Sequence, residues 1–358
     1  MTASHAAIDL DDGDDLLAAD TDGLLRAVAM AGAQVRAAAA AVEEGALAAL
    51  GGEPARTLIH LAGRGCAGTA GALLAATQSG SVATPLVQAA EVPPWIGPLD
   101  VLVVAGDDPG DPALVTGAAT AARRGARVLI AAPYEGPLRD AAAGRAAVLA
   151  PRIPVPDEFR LPGHLAAGLA AIGVVDPRSR TDLAALADVL DEEALRDGPG
   201  REVFTNPAKN LVERLTGRAV ALAGDDPVGL ALARHGSATL LRVAGIAAGV
   251  GGLGDAIAAQ RSAPTASIFH DDQIDGPAPR RPRVLALALA EHRMVVAARI
   301  GGLDDVDLVT ADVDPATAGD ADAAAGAGRA PAEQQAAVLA VRLELAAVYL
   351  RLSGERRG

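Results

Sequence analysis

The sequence has little of several residue types, and each shortage excludes a class of protein. Cys66 is the only cysteine in 358 residues, so no internal disulfide can form. Aromatic residues make up 2%, which predicts a core built from Ala, Val and Leu. No apolar run reaches the length of a membrane span, and no charged-then-apolar leader opens the sequence. We therefore expect a soluble, cytoplasmic protein with no membrane partner.

Positive charge is also scarce. The formal net charge is −14, and Lys209 is the only lysine. Proteins that bind nucleic acid usually carry a basic patch or stripe, and the three arginines within 280–283 are too few to form one. The sequence predicts a small-molecule ligand and no nucleic-acid partner.

The clearest positive signal is a strand, glycine-rich turn and helix at 58–76. The apolar run 58–62 leads into Gly63-Arg64-Gly65-Cys66-Ala67-Gly68, and a helical segment follows. Glycines let the backbone approach a ligand closely, and the first N–H groups of the helix stay unpaired and favour an anion. This unit predicts a phosphorylated or dinucleotide ligand at the carboxyl end of a parallel sheet.

Strand and helix patterns alternate through the first half. Strands are predicted at 57–62, 82–89, 100–105 and 126–132, with a short fifth from Val148, and helices at 67–78, 112–124 and 162–173. Such alternation is typical of right-handed βαβ units, which form a parallel sheet covered by helices.

The second half suggests a repeat of this scheme. Gly224-Asp225-Asp226-Pro227 echoes Gly106-Asp107-Asp108-Pro109, and each follows an apolar strand. We predict helices at 206–216 and 228–235, strands at 218–223, 239–243, 266–270 and 283–288, a loop at 311–330, and an amphipathic helix at 331–352. The stretch 245–254 is ambiguous. The predicted organisation is an N-terminal helical segment (1–50), two doubly wound, flavodoxin-type domains (51–197 and 198–330) and a C-terminal helix (331–358).

Dinucleotide binding is one interpretation of the glycine turn. Gly63, Gly65 and Gly68 match the spacing of the dinucleotide fingerprint. That fingerprint needs an acidic residue at the end of the next strand. Glu91 has about the right separation but falls in a predicted loop before two prolines. This interpretation stays open as a lesser alternative.

The order of these elements also resembles a sugar isomerase (SIS) domain, and the tandem arrangement resembles the bifunctional phosphoglucose/phosphomannose isomerase family. The resemblance covers roughly 50–350 and is strongest over 58–175. It implies a sugar-phosphate ligand, no cofactor and a homodimer. It assigns substrate binding to two loops and to one arginine before a helix: Gly63, Gly65, Cys66, Ala67, Gly106, Asp107, Asp108 and Arg160.

Both loops depart from the family pattern. The family's second loop is a Ser/Thr-rich phosphate cradle, whereas this chain has carboxylates there, which would repel a phosphate unless a Mg²⁺ ion bridged them. The family's catalytic Glu and His have no counterpart within 244–255, although His235 and Asp255 flank that stretch. Two functions follow: an aldose–ketose isomerase that acts through an enediol, and a catalytically silent sensor or scaffold that binds a sugar phosphate.

The remaining polar residues each have a structural and a functional interpretation. Cys66 is either a nucleophile at a helix N-terminus or a small residue in a tight turn. His60 is expected to be a core residue with satisfied hydrogen bonds. His164 begins a helix near Arg160 and is either a structural residue or part of the cleft lining. Asp304, Asp305 and Asp307 are expected to form a solvated charge run. His270 and Asp272 are either a metal pair or part of a turn.

Overall fold

The computed structural model describes residues 8–262, 281–311 and 330–354. These residues divide into two compact units. The first unit contains 23–195 and 330–341. The second contains 8–22, 196–262, 281–311 and 342–354.

The first unit is a parallel sheet with helices on both faces. Its strands are β1 (Thr57–Ala62), β2 (Leu86–Ala89), β3 (Asp100–Ala105), β4 (Arg127–Ala131) and β5 (Ala147–Val148). Its helices are α2 (Leu24–Ala29), α3 (Ala31–Glu43), α4 (Cys66–Gln78), α5 (Pro112–Arg123), α6 (Gly136–Ala142), α7 (Leu161–Val175) and α8 (Leu183–Arg196). The α/β class is therefore confirmed. The second strand is shorter than predicted because residues 82–85 stay outside the sheet.

The strand order in this sheet is β2-β1-β3-β4-β5, and every pairing is parallel. Strand β3 lies at the centre with all six of its residues buried, which explains its unbroken apolar sequence. Alternate residues on β1 face opposite sides of the sheet. Ile59 and Leu61 join an apolar cluster with Leu114 of α5, while His60 packs against Gly71 of α4 on the other face.

The second unit has a smaller sheet of the same kind. Its strands are β6 (Val220–Gly224), β7 (Ala248–Gly252), β8 (Arg283–Leu287) and β9 (Val306–Val309), all parallel in the order β7-β6-β8-β9. Its helices are α1 (Gly13–Ala19), α9 (Pro207–Leu215), α10 (Pro227–Ala244), α11 (Leu253–Ser262) and α12 (Arg293–Ile300). The last helix, α13 (Ala332–Ser353), contributes residues up to Val341 to the first unit and the rest to the second.

Two expectations for the second half were wrong, and the structure decides one stretch that the sequence leaves open. The segment 239–243, predicted as a strand, is the last part of α10. This helix continues without a break to its C-cap at Gly245, and its residues Thr239, Leu240 and Val243 are buried. The ambiguous stretch 245–254 forms β7 and the start of α11. Helix α13 is not amphipathic, since every residue from 334 to 350 is buried.

The two Gly-Asp turns occupy different places in their sheets. The turn at 106–109 follows β3, whereas the turn at 224–227 follows β6, which has the position of β1 in its own sheet. The matching tetrapeptides are therefore not equivalent by topology. Each starts a helix, and in each case a carboxylate just before the helix accepts a backbone N–H: Asp111 at α5 and Asp226 at α10.

The acidic run 304–307 is not simply solvated. Asp305 pairs with Arg218, and Asp307 receives two hydrogen bonds from Arg283 at 2.5 and 2.7 Å. The pairs form because β8 and β9 are adjacent and bring Arg283 beside both aspartates. Of the helices in the described ranges, none is both long and apolar enough to cross a bilayer. The strand predicted at 266–270 and most of the predicted loop at 311–330 lie outside the described residues.

Candidate functional site

The candidate site lies where the strand order of the first sheet reverses. The chain moves from β1 outward to β2 and then back to β3 on the other side of β1. In open α/β sheets this reversal leaves a crevice at the carboxyl ends of the two central strands, and ligands bind there. The two loops singled out in the sequence follow β1 and β3, so both border that crevice.

The first loop ends at an uncapped helix N-terminus. Gly65 precedes α4 with φ of 88°, a conformation that disfavours residues with a side chain, and no side chain caps the helix. Gly68 has open space where a Cβ would lie. Ala67 is fully buried, so it shapes the turn with its backbone only. The first N–H groups of α4 therefore have no side-chain acceptor from a capping residue, as an anion site requires.

Cys66 does not present a free thiol to this crevice. Its side chain is buried, and the Sγ atom lies 3.0 Å from the Glu158 carbonyl and 3.3 Å from the Asp157 carbonyl. The thiol proton can therefore be donated to a backbone carbonyl oxygen of the segment before α7. These contacts support the structural interpretation of the cysteine.

The second loop packs tightly on the first. A Cβ added to Gly106 would lie 2.7 Å from the Leu114 Cδ1, and one added to Gly63 would lie 3.0 Å from the same atom, so both glycines leave room for Leu114 of α5. Asp108 is exposed and pairs with Arg64 at 3.1 Å, which joins the loops. Asp111 accepts the Ala113 N–H at 2.9 Å, so the N-terminus of α5 is capped by the chain itself.

Asp107 forms a largely buried cluster with Arg160 and His164. Its Oδ1 lies 3.1 Å from the His164 Nε2 and 3.4 Å from the Arg160 Nη1, and the Asp107 side chain is 6% exposed. Arg160 also donates from Nε to the Val155 carbonyl at 3.2 Å. The arginine identified as the anion contact therefore already holds a carboxylate of its own chain.

His60 lies behind this cluster within β1. It is buried, and within the described ranges neither of its ring nitrogens has a hydrogen-bond partner. Burial, together with the nearby His164, lowers the pKa of His60 to about 4. Gly71 makes room for the ring, because a Cβ there would lie 2.5 Å from Nδ1. The expectation that His60 is a core residue is correct, but its hydrogen bonds are not satisfied.

A small cavity of about 50 Å³ adjoins the cluster on the side of α3. Arg160 and His164 line it together with alanines of α3 and the segment 149–153. A cavity of this size holds a few water molecules and is too small for a sugar phosphate.

The candidate residues of the second half are committed to other contacts within the second unit. His235 pairs with Glu344 at 2.9 Å, and both side chains are almost fully buried. Burial raises the pKa of Glu344. The Lys209 Nζ donates to the carbonyls of Leu10, Pro199 and Arg201 at 2.5–2.7 Å. Asp255 is exposed in the first turn of α11.

The cluster around Asp107 was not predicted as a cluster. The resemblance assigns Asp107 and Arg160 to the site, and closeness to Arg160 makes the cleft one of two interpretations of His164, but the pairing of these three residues has no local sequence signal. Arg160 and His164 follow Asp107 in the sequence by 53 and 57 residues. Only the parallel order of β1, β3 and β4 brings the β3 loop under the N-terminus of α7.

No metal site is evident in the ranges 8–262, 281–311 and 330–354, where no three His, Cys, Asp or Glu side chains are grouped suitably. His270 and Asp272, the pair singled out as metal ligands or a turn, lie outside those ranges.

Comparison with known proteins gives a match at the level of fold. No family model matches the sequence, and no curated protein sequence does so. Several solved structures are similar, and three of them illustrate the match. One is a putative phosphosugar isomerase from Bacillus subtilis, with a TM-score of 0.57 and 16% identity over 91% of this chain and 97% of that one.

The second is the C-terminal domain of glucosamine-fructose-6-phosphate aminotransferase from Francisella tularensis, with a TM-score of 0.59 and 11% identity over 94% and 98% of the two chains. The third is a glucose-6-phosphate isomerase like protein from Thermus thermophilus, with a TM-score of 0.56 and 20% identity over 96% and 95%. At these identities the likeness shows the fold alone: the chain has the α/β fold of phosphosugar isomerase-like structures.

Proposed function

We propose that this protein binds a sugar phosphate in the crevice between the β1 and β3 loops of the first unit, and that it is a catalytically silent sensor or scaffold. The observation that carries the proposal is the contrast between two helix N-termini at the crevice. Helix α5 is capped by Asp111, whereas α4 has no side-chain cap and begins with exposed glycine backbone. A phosphate group therefore docks on α4.

The pairing of the loop carboxylates makes anion binding compatible with this acidic sequence. Asp107 is held by Arg160 and His164, Asp108 by Arg64, and Asp111 by a backbone N–H. Each negative charge is partly compensated by its partner, so the repulsion between these carboxylates and a bound phosphate is smaller than the sequence alone predicts. The similar structures support the same ligand class, because the names of all three refer to sugar phosphates.

The silent state is supported by where two possible proton-transfer groups, His235 and His164, lie in the described part of the chain. An aldose–ketose isomerase needs a base that reaches the substrate carbon. His235 is buried against Glu344, and His164 is buried against Asp107. Both imidazoles are therefore occupied by carboxylates of this chain. The proposal includes two further features implied by the resemblance: two sugar isomerase domains, 51–197 and 198–330, and a homodimer. Analytical ultracentrifugation tests whether the protein is a dimer.

The proposal is tested by calorimetric titration with glucose 6-phosphate, fructose 6-phosphate and mannose 6-phosphate, with and without Mg²⁺. An isomerisation assay follows each titration. We expect binding without turnover. Turnover of any of the three sugars would refute the silent state and establish the isomerase, and absence of binding would refute the ligand class.

The position of the phosphate is tested by a matched pair of variants at Gly68, where a side chain meets open space. Gly68→Asp adds a negative charge at the first turn of α4, and Gly68→Asn adds the same shape without charge. We expect the aspartate to weaken binding by about tenfold or more, since one charge-assisted contact contributes roughly 1.5–3 kcal/mol. The asparagine variant should bind close to wild type. Wild-type affinity in Gly68→Asp would refute docking on α4.

A further inference from the structure

The second unit contains a larger cavity that the proposed function does not use. Its volume is about 340 Å³, near the lower end for pockets that bind small organic ligands. It lies at the carboxyl end of β9, between α9, α12 and the second-unit part of α13. The carboxyl edge of a parallel sheet is where ligands of such folds bind.

The lining of this cavity is cationic although the chain is acidic. Three arginines line it, Arg214, Arg293 and Arg342, and none of its described lining residues carries a carboxylate. In a protein of net charge −14, such an arrangement concentrates positive potential at one place and attracts small anions. The guanidinium group is also well suited to phosphate, because it donates paired hydrogen bonds in a planar fork.

The three arginines differ in how far they are already used. Arg342 is 3% exposed, and its Nη1 donates to the Thr310 carbonyl at 2.8 Å, which fixes the group at the base of the cavity. Arg214 lies 3.5 Å from Asp307, a carboxylate that Arg283 binds more closely. Arg293 is exposed and makes no ion pair with any residue in the described ranges.

Uncharged groups complete the lining. The side chains of Asn210 and Thr310 are half-buried and form no side-chain hydrogen bond to the described part of the chain. Phe204 is 79% exposed at the same cavity and offers an apolar surface to the organic part of a ligand. Polar donors around an anion together with one apolar surface suit a small phosphorylated metabolite better than a bare inorganic ion.

We propose that this cavity is a second ligand site, which binds a small phosphate monoester through Arg293 and Arg342, with Arg214 beside them. It is separate from the crevice of the first unit in both its residues and its charge. The site would let the protein respond to a second phosphorylated compound.

The test uses inorganic phosphate and ribose 5-phosphate as probes, titrated by calorimetry into the full chain. The Gly68→Asp variant serves as the background, because we expect it to weaken binding at the crevice by about tenfold or more. Arg293→Glu is compared with Arg234→Glu, which reverses the same charge at another exposed position of the second unit. We expect Arg293→Glu to weaken ribose 5-phosphate binding by about tenfold or more, and Arg234→Glu to change it less than about twofold.

A second measurement locates the site without a variant. Phenylglyoxal labels accessible arginines, and peptide mass spectrometry reports the labelling of Arg293 with and without ribose 5-phosphate. Protection of Arg293 supports the site. Equal labelling in both samples, equal weakening by the two charge reversals, or no binding in the Gly68→Asp background would overturn it. If glucose 6-phosphate binding is unaffected by Gly68→Asp and is weakened by Arg293→Glu, the proposed function is refuted and this inference stands.

Discussion

Replacing Asp107 by asparagine tests whether its carboxylate acts as an internal anion in the candidate site. The amide is nearly isosteric and still accepts a hydrogen bond from the His164 Nε2, but it removes the charge beside Arg160. Because Arg160 is no longer neutralised, we expect sugar-phosphate affinity to rise and stability to fall in the same variant.

Both magnitudes can be worked from the contacts. A hydrogen bond to a charged group contributes roughly 1.5–3 kcal/mol, and the amide keeps part of it, so the free energy of unfolding should fall by about 1–2 kcal/mol. Two unit charges separated by about 8 Å, the order of separation expected across a small crevice, interact by about 2 kcal/mol at an effective dielectric constant of about 20. Removal of the Asp107 charge should raise affinity by about 30-fold at low salt, and by less at high salt.

Urea denaturation and calorimetric titration with glucose 6-phosphate measure the two effects. Asp108→Asn is the matched control, because it removes the same charge from an exposed pair with Arg64. Its effect on stability should stay below about 1 kcal/mol. The reasoning is refuted if Asp107→Asn leaves affinity unchanged or lowers it, or if the two variants behave alike.

Two further predictions concern buried titratable groups. The pKa of His60 is about 4 in the folded protein and near 6.5 in the unfolded chain, so the unfolded state binds more protons between these values. The free energy of unfolding should therefore fall by about 1 kcal/mol per pH unit as the pH drops from 6.5 to 4. In urea titrations at several pH values, His60→Leu should remove this part of the pH dependence. An unchanged pH dependence in the variant would contradict the prediction. Lys209→Met removes three hydrogen bonds to carbonyls and should lower the free energy of unfolding by about 3 kcal/mol, whereas Arg234→Met at an exposed position should change it by less than about 0.5 kcal/mol. Equal denaturation midpoints for these two variants would show that the lysine is not a structural clamp.

Sequence patterns predicted the first unit well, because its strands have strong local signals. The apolar run at 100–105 and the glycine turn after β1 lie within a few residues of where the structure has them. The strand expected at 239–243 failed because Leu240, Leu241 and Val243 suit either state. The choice between helix and strand is decided only when the long helix α10 packs its apolar side chains against the sheet.

The candidate site was predicted only in part, for a different physical reason. The loop glycines and Arg160 are recognisable locally, but the state of each carboxylate depends on a partner far away in sequence. Asp107 looks like a source of repulsion until His164 is placed 3.1 Å from it. The ion pairs of Asp305 and Asp307 likewise depend on strand neighbours that the linear order of residues does not supply.

The division of α13 between the units has a consequence for protein synthesis. Residues 330–341 complete the first unit, and the second draws residues from 8–22 at one end of the sequence and 342–354 at the other. Neither unit is a continuous stretch of chain. On the ribosome, residues 23–195 emerge long before the segment that buries against them. Until α13 has been translated, the nascent first unit therefore exposes the apolar surface that this helix covers, and it must avoid aggregating through that surface.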